Sequence, residues 1–299
     1  MSSSLAPRIV IVHRASEFET LIAHHGTRGQ ASFFLSSRDQ NIDDVEAVHA
    51  ALQACIKETK RFVPQDWSIA QVERGDLDRF LFTGNDIIVA VGQEGLVANL
   101  AKYVSGQPVI GVTPGGNGSE SVLTSVQPGE VAQLLQEVHN QSAVMQARTM
   151  VEAQLSNGES LSALNELFIG HRSHQSARYI LKDGEQEEFQ SSSGVIVSTG
   201  TGATGWAKSI MNATHQSHEI TPTDARAIYF SREPWPSKTS GCALSSGMLA
   251  QGNRLQLTSR INEGGVIFAD GIEQDFLQFD WGQKVSVSIA AQRLNLVTK

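Results

Sequence analysis

The sequence predicts an α/β first half, with a Rossmann-like parallel sheet, followed by an all-β, sandwich-like second half. Two observations carry this reading. Continuous apolar runs alternate with helical patterns up to residue 146, whereas from residue 147 onward short Val-, Ile-, Phe- and Tyr-rich segments are separated by turn signals. The 299 residues are enough to give each half a core, so the domains are set at 1–146 and 147–299, with the chain's end free to return to the first.

In the first half, residues 8–12 (RIVIV), 87–91 (IIVAV) and 108–112 (PVIGV) read as buried strands of a parallel sheet. Val45, Val48, Leu52, Cys55 and Ile56 recur at spacings of three and four, which predicts one buried helical face capped by Asn41 or Asp43. A helical stretch holding Leu96, Leu100 and Val104 follows the second strand. A last helix starts at Pro128 and buries Val131, Leu134, Leu135 and Val138.

In the second half, strands are expected over residues 149–155, 164–171, 177–182, 194–198, 227–230, 254–259, 265–269 and 284–289. A single helix is expected over 203–214. The punctuation between them is Asn157-Gly158, Asp183-Gly184, Gly252-Asn253, Gly264-Gly265 and Trp281-Gly282.

Composition excludes several classes. A net charge of -8 argues against general nucleic-acid binding, which needs a basic surface. No apolar run approaches the roughly 18 residues that span a bilayer. The opening residues have no apolar signal core and a single arginine, Arg8, so a cytoplasmic location is expected. Cys55 and Cys242 read as free thiols rather than a disulfide. His171 with His174, and His215 with His218, share a spacing of three, but no cysteine or carboxylate cluster accompanies them and no metal site is assigned. No Gly-x-Ser-x-Gly elbow points to a hydrolase.

Four segments carry candidate chemistry. Gly92, Gln93, Glu94 and Gly95 lie between a buried strand and a helix, where backbone N–H groups favour an anion and a carboxylate stands at the ligand edge of the sheet. Gly115, Gly116 and Gly118 follow the next strand in an open, glycine-rich loop. Ser198, Thr199, Thr201, Gly202, Thr204, Gly205 and Trp206 place hydroxyls, open N–H groups, a helix start and a flat ring within nine residues. Asn165 and Glu166 put an amide and a carboxylate where an apolar strand begins.

In their order and context these segments resemble the NAD kinase family, over about residues 8 to 298. The family's Gly-Gly-Asp-Gly-Thr loop is matched by residues 92–96 (GQEGL), its Asn-Glu pair by Asn165 and Glu166, its Ser-Thr-Pro-Thr-Gly-Ser-Thr-Ala-Tyr segment by residues 198–206, and its late Asp-Gly by Asp270 and Gly271. The version Thr199-Gly200-Thr201-Gly202, the run 165–170 and Ser231-Arg232-Glu233-Pro234 are nearest to the branch that includes mitochondrial-type NAD kinases.

The resemblance implies ATP as donor, Mg²⁺ accompanying the nucleotide, NAD or another hydroxyl-bearing acceptor, and a homodimer or higher homo-oligomer. It implies an active site between the domains, with ATP at Gly92, Gln93, Gly95, Gly115, Gly116 and Gly118. Asn165, Glu166, Ser198, Thr199, Thr201, Gly202, Thr204, Gly205, Trp206 and Asp270 would hold the substrate. Glu94 would stand where the family's aspartate accepts the proton of the ribose 2′-hydroxyl. The chain departs from the pattern at Gln93, Glu94, Leu96 and Ser193. Two alternatives follow: a nucleotide-binding sensor that has lost transfer, or a kinase of a sugar or lipid hydroxyl in the same superfamily.

Overall fold

A computed structural model describes residues 6–115 and 121–299. The chain divides into two compact units, one of residues up to Gln146 with Asn295–Lys299, the other Ala147–Leu294.

The first unit opens with β1 (Arg8–His13), α1 (Glu17–His25), α2 (Arg28–Ser36) and α3 (Ile42–Phe62). It continues through β2 (Ser68–Glu73), β3 (Asp86–Val91), α4 (Glu94–Leu100), β4 (Pro108–Val112) and α5 (Val131–His139). The strands run in the order β2-β1-β3-β4, all parallel, and Asn295 and Leu296 extend the sheet alongside β4. All six residues of β3 are buried, the mark of a central parallel strand covered on both faces. At its start Asp86 accepts two hydrogen bonds from Arg8, at 2.9 and 2.7 Å, and two from Thr83. Cys55 and Ile56 of α3 and Val131, Leu134, Leu135 and Val138 of α5 pack on Ile9, Ile11, Val89 and Ile110.

Three details differ from the sequence reading. Val48 belongs to the periodic set of α3 yet is 68% exposed, because that turn of the helix overhangs a cavity instead of the sheet. The helix after β3 stops at Leu100, leaving Val104 buried in the connection that follows. The residues from Pro128 form a short 3-10 turn, Pro128–Glu130, before α5 begins. Asn41 does cap α3, accepting from Asp43 N at 3.0 Å.

The second unit carries β5 (Val144–Leu155), β6 (Ser160–Ala163), β7 (Glu166–His171), β8 (Ala177–Asp183), β9 (Gln186–Ser192) and β10 (Val195–Thr199). After α6 (Trp206–Thr214) come β11 (Arg226–Ser231), β12 (Ser246–Ala250), β13 (Leu255–Ser259), β14 (Gly265–Ala269), β15 (Ile272–Gln278) and β16 (Lys284–Thr298). One antiparallel sheet has the order β12-β11-β10-β7-β14-β15, and β16-β13-β8-β9 runs in the other. Leu167, Ile169, Val195, Val197, Tyr229 and Ile267 of the first meet Tyr179, Leu181, Leu255, Leu257, Val285 and Val287 of the second in one core. α6 covers the outer face of the first sheet, with Ala207, Ile210 and Met211 against Ile228 and Phe230. The sandwich-like second half is therefore as expected. Among the described residues, no helix is long and apolar enough to cross a membrane.

Candidate functional site

β3 hands the chain to Gly92, whose N–H donates to Val112 O of β4 at 2.9 Å and sets the turn at the carboxyl end of two parallel strands. Gln93 caps α4 by position, with its side chain exposed and making no cap bond. Leu96 is buried, and its Cδ2 lies 3.2 Å from where a Cβ on Gly92 would stand, so this side chain roofs the turn from the core side.

The next loop leaves β4 through Thr113, Pro114 and Gly115; Gly116 and Gly118 lie outside the described residues. Its return limb lies directly on β4. A Cβ on Gly111 would sit 1.8 Å from Leu123 O, a contact that glycine alone permits. Val126 N donates to Gly111 O at 3.1 Å, and Thr113 N to Val126 O at 3.0 Å.

Glu94 joins the two loops. Its Oε1 accepts from Val122 N at 2.5 Å, Leu123 N at 2.9 Å and Ser121 Oγ at 3.1 Å. Glu94 also lines a cavity of 620 Å³ with Val48, Gly92, Gln93, Gly95, Thr113, Pro114, Gly115, Ser121 and Thr124. The expected residues 92–95 and Gly115 thus meet around one hollow at the ligand edge of the parallel sheet.

In the second unit, β7 and β10 pair antiparallel with Glu166 opposite Ser198. Asn165 and Glu166 precede and open β7, and the loop after β10 folds back onto them. Thr199 N donates to Asn165 O at 2.9 Å, and Thr199 Oγ1 to Leu164 O at 2.6 Å. The same hydroxyl accepts from Thr201 N at 3.1 Å and Gly202 N at 3.3 Å. A Cβ on Gly202 would stand 2.3 Å from Asn165 O, so the close approach of the two segments requires glycine there.

Asp270 completes this cluster from the opposite neighbour of β7. With Gly271 it forms the tight turn between β14 and β15, at φ 53° and 72°, the positive values of a two-residue hairpin. Its Oδ1 accepts from Asn165 N at 2.7 Å and Glu166 N at 3.3 Å, and its Oδ2 from Leu164 N at 3.1 Å. Burial, and then the Asp270 charge, push the Glu166 carboxyl up to about 7.

Ser198, Thr199 and Thr201 are buried, so their side chains serve the loop's own geometry, while Thr204 and Gly205 are exposed. Trp206 stacks on Phe168 at 6.1 Å with planes 9° apart, and the Arg232 guanidinium lies 5.0 Å from its ring centre.

No family model matches the chain. An NAD kinase from Chlorobaculum tepidum is 29% identical over 140 residues, covering 46% of this chain and 47% of that protein. One from Hahella chejuensis is 31% identical over 132 residues, covering 42% and 44%. The matches span about half the length of these curated relatives. In fold the likeness extends over nearly the whole chain. An Archaeoglobus fulgidus NAD kinase solved with ATP superposes with a TM-score of 0.60 at 16% identity, over 97% of this chain and 93% of that one. The chain has the fold of the NAD kinases. Yeast NADH kinase, solved with NADH, gives 0.62 at 15% identity, over 99% and 84%.

Within the NAD kinase fold, the structure brings Asn165, Glu166, Thr199, Thr201, Gly202 and Asp270 into one cluster and residues 92–95 with Gly115 into another. Two contributors escaped the sequence reading. Ser121 is linked to its partners only through the fold, being 27 residues from Glu94. Arg148 of β5, 2% exposed, donates to Thr201 Oγ1 at 3.4 Å. A single arginine inside an apolar run gives no local signal of such a role. His171 is engaged by Ser173 and by Glu263 O at the end of β7.

Proposed function

We propose that the chain is an NAD kinase-like phosphotransferase that moves the γ-phosphoryl group of ATP to the ribose 2′-hydroxyl of NAD or a related hydroxyl acceptor. The observation that carries this is Glu94: a carboxylate lining a 620 Å³ hollow with backbone-rich glycine turns at the ligand edge of a parallel sheet. In this reading the nucleotide phosphates lie against residues 92–95 and Gly115, where N–H groups rather than side chains meet them. The dinucleotide is held by Asn165, Glu166 and the loop over residues 199–206.

Transfer needs no protein nucleophile. The acceptor oxygen forms a bond to the γ-phosphorus, the bond to the bridging oxygen breaks, ADP leaves, and the hydroxyl proton passes to a carboxylate. Glu94 is assigned that role through Oε2, since the bonds from residues 121–123 all reach Oε1. Among the described residues no three His, Cys, Asp or Glu side chains converge as a metal site. In this reading Mg²⁺ arrives with ATP and is held chiefly by the nucleotide's own phosphates.

A second reading is favoured by one specific fact. A carboxylate oxygen that accepts three hydrogen bonds from the neighbouring loop behaves as a structural staple, as it would in a sensor that binds NAD or ATP without transfer. Glu94→Gln separates the two, because the amide keeps an acceptor for the staple and removes the base. NADP formed from ATP and NAD by the native chain, and lost in Glu94→Gln, supports the kinase. Nucleotide binding without product supports the sensor.

A further inference from the structure

Among the groups that sequence reasoning assigned to direct substrate contact, Asp270 is placed differently by the structure. Its carboxylate faces the backbone, accepting from Leu164 N, Asn165 N and Glu166 N at 3.1, 2.7 and 3.3 Å, while its own N–H donates to Glu166 O at 3.0 Å. An ionised acceptor taking three amides is a strong anchor. It holds the chain just where β7 begins.

We propose that Asp270 is a positioning residue for dinucleotide binding that acts through Glu166: its carboxylate fixes the turn bearing Asn165 and Glu166, and its charge governs whether the adjacent Glu166 carboxyl meets the ligand as an acid or as a carboxylate. The geometry sets the two acidic residues side by side at the start of β7. Glu166 is half-buried, and the β14–β15 turn delivers a second carboxylate to its own backbone. The neighbouring strand β10 brings Ser198 and Thr199 to this place, neither of them charged. Arg148 of β5, a buried cation, also enters this cluster, donating to Thr201.

Burial and the Asp270 charge act in the same direction, so Glu166 titrates at about 7 rather than in the ordinary carboxylate range. A carboxylate only accepts hydrogen bonds, whereas a carboxylic acid can also donate one. Affinity for a ligand bearing ribose hydroxyls and an adenine amine, both donors, is then greater above neutrality, where Glu166 is ionised. The ligand half of this inference rests on the dinucleotide reading above; the coupling of the two carboxyls does not.

The test uses the full chain. In Asp270→Asn the charge is gone, an acceptor oxygen remains, and asparagine tolerates the positive φ of 53°. With ¹³C-labelled glutamate and no ligand, the Glu166 carboxyl is expected to titrate near pH 7 in the native chain and at clearly lower pH in Asp270→Asn. An unmoved midpoint overturns the proposal. NAD affinity measured by calorimetry from pH 5.5 to 8.5 is expected to rise through the same midpoint. That rise should shift to lower pH in Asp270→Asn and vanish in Glu166→Gln; a rise that persists in Glu166→Gln also overturns it. Asp270→Ala is expected to weaken NAD binding by about tenfold or more and to speed amide exchange at Asn165 and Glu166. Unchanged exchange there refutes the anchoring role. Failure of the native chain to bind NAD at any pH would remove the dinucleotide reading while leaving the ligand-free titration to decide the coupling.

Discussion

Replacing Thr199 with valine isolates the polar linkage that folds the glycine-rich loop onto Asn165. The two side chains are nearly equal in shape, so packing at this fully buried position is kept and only the hydroxyl is lost. That hydroxyl donates to Leu164 O at 2.6 Å and accepts from Thr201 N and Gly202 N at 3.1 and 3.3 Å. An unsatisfied buried polar group costs about 1–3 kcal/mol, and the two amides share one acceptor, so Thr199→Val is expected to destabilise the second unit by about 2–4 kcal/mol. Thr199→Ser keeps the oxygen and removes one methyl, and should cost less than about 1.5 kcal/mol. Urea unfolding gives both values, and amide exchange locates the loss at residues 201 and 202. A valine variant within about 0.5 kcal/mol of the native chain would refute the idea that this hydroxyl organises the loop.

Gly111→Ala forces a Cβ to within 1.8 Å of Leu123 O, so the return limb held by Glu94 must lift off β4. A cost of about 1–3 kcal/mol in stability and a marked loss of ATP affinity are expected, read by thermal unfolding and by nucleotide titration; native-like ATP affinity would contradict the assignment of this hollow. The raised Glu166 value also makes a stability prediction. Its folded-state value of about 7 lies above the unfolded 4.5, so the folded chain holds the proton more tightly and stability falls as pH rises between those values. This group alone should lower the stability of the second unit by about 3 kcal/mol at most between pH 4.5 and pH 8. Glu166→Gln should remove that portion of the slope in denaturant titrations at the two pH values.

Much of the fold was legible because tertiary burial coincides with local pattern. β1, β3 and β4 are continuous apolar runs, and every residue of β3 is buried. α3 announced itself by its period and by Asn41. α1 and α2 escaped because each has nine residues and a short apolar face, although Ser16 and Glu19 form a capping box that marks the start of α1. β9 (QEEFQSS) and β15 (IEQDFLQ) carry mostly polar or exposed residues, and pairing with β8 and β14 rather than composition makes them strands. Val48 shows the converse error, an apolar residue in register whose turn of helix overhangs a hollow.

The candidate site was legible where glycine turns follow buried strands, at residues 92–95 and 199–205. It was not legible where the fold alone supplies the partner. Asp270 reaches amides 104 to 106 residues away, and Arg148 meets Thr201 across 53. The hydroxyls over residues 198–201, read from sequence as ligand donors, lie buried; Thr199 and Ser198 donate to backbone carbonyls, and Thr201 accepts from Arg148. Satisfying buried polar groups is the stronger demand at those positions.

The most direct measurement is of product. Purified chain incubated with ATP, Mg²⁺ and NAD is followed with an NADP-specific dehydrogenase, alongside ADP release. Equal yields of NADP and ADP, abolished by Glu94→Gln without loss of nucleotide binding, are the predicted result. NAD and ATP both bound to the native chain, with no NADP formed, would contradict it.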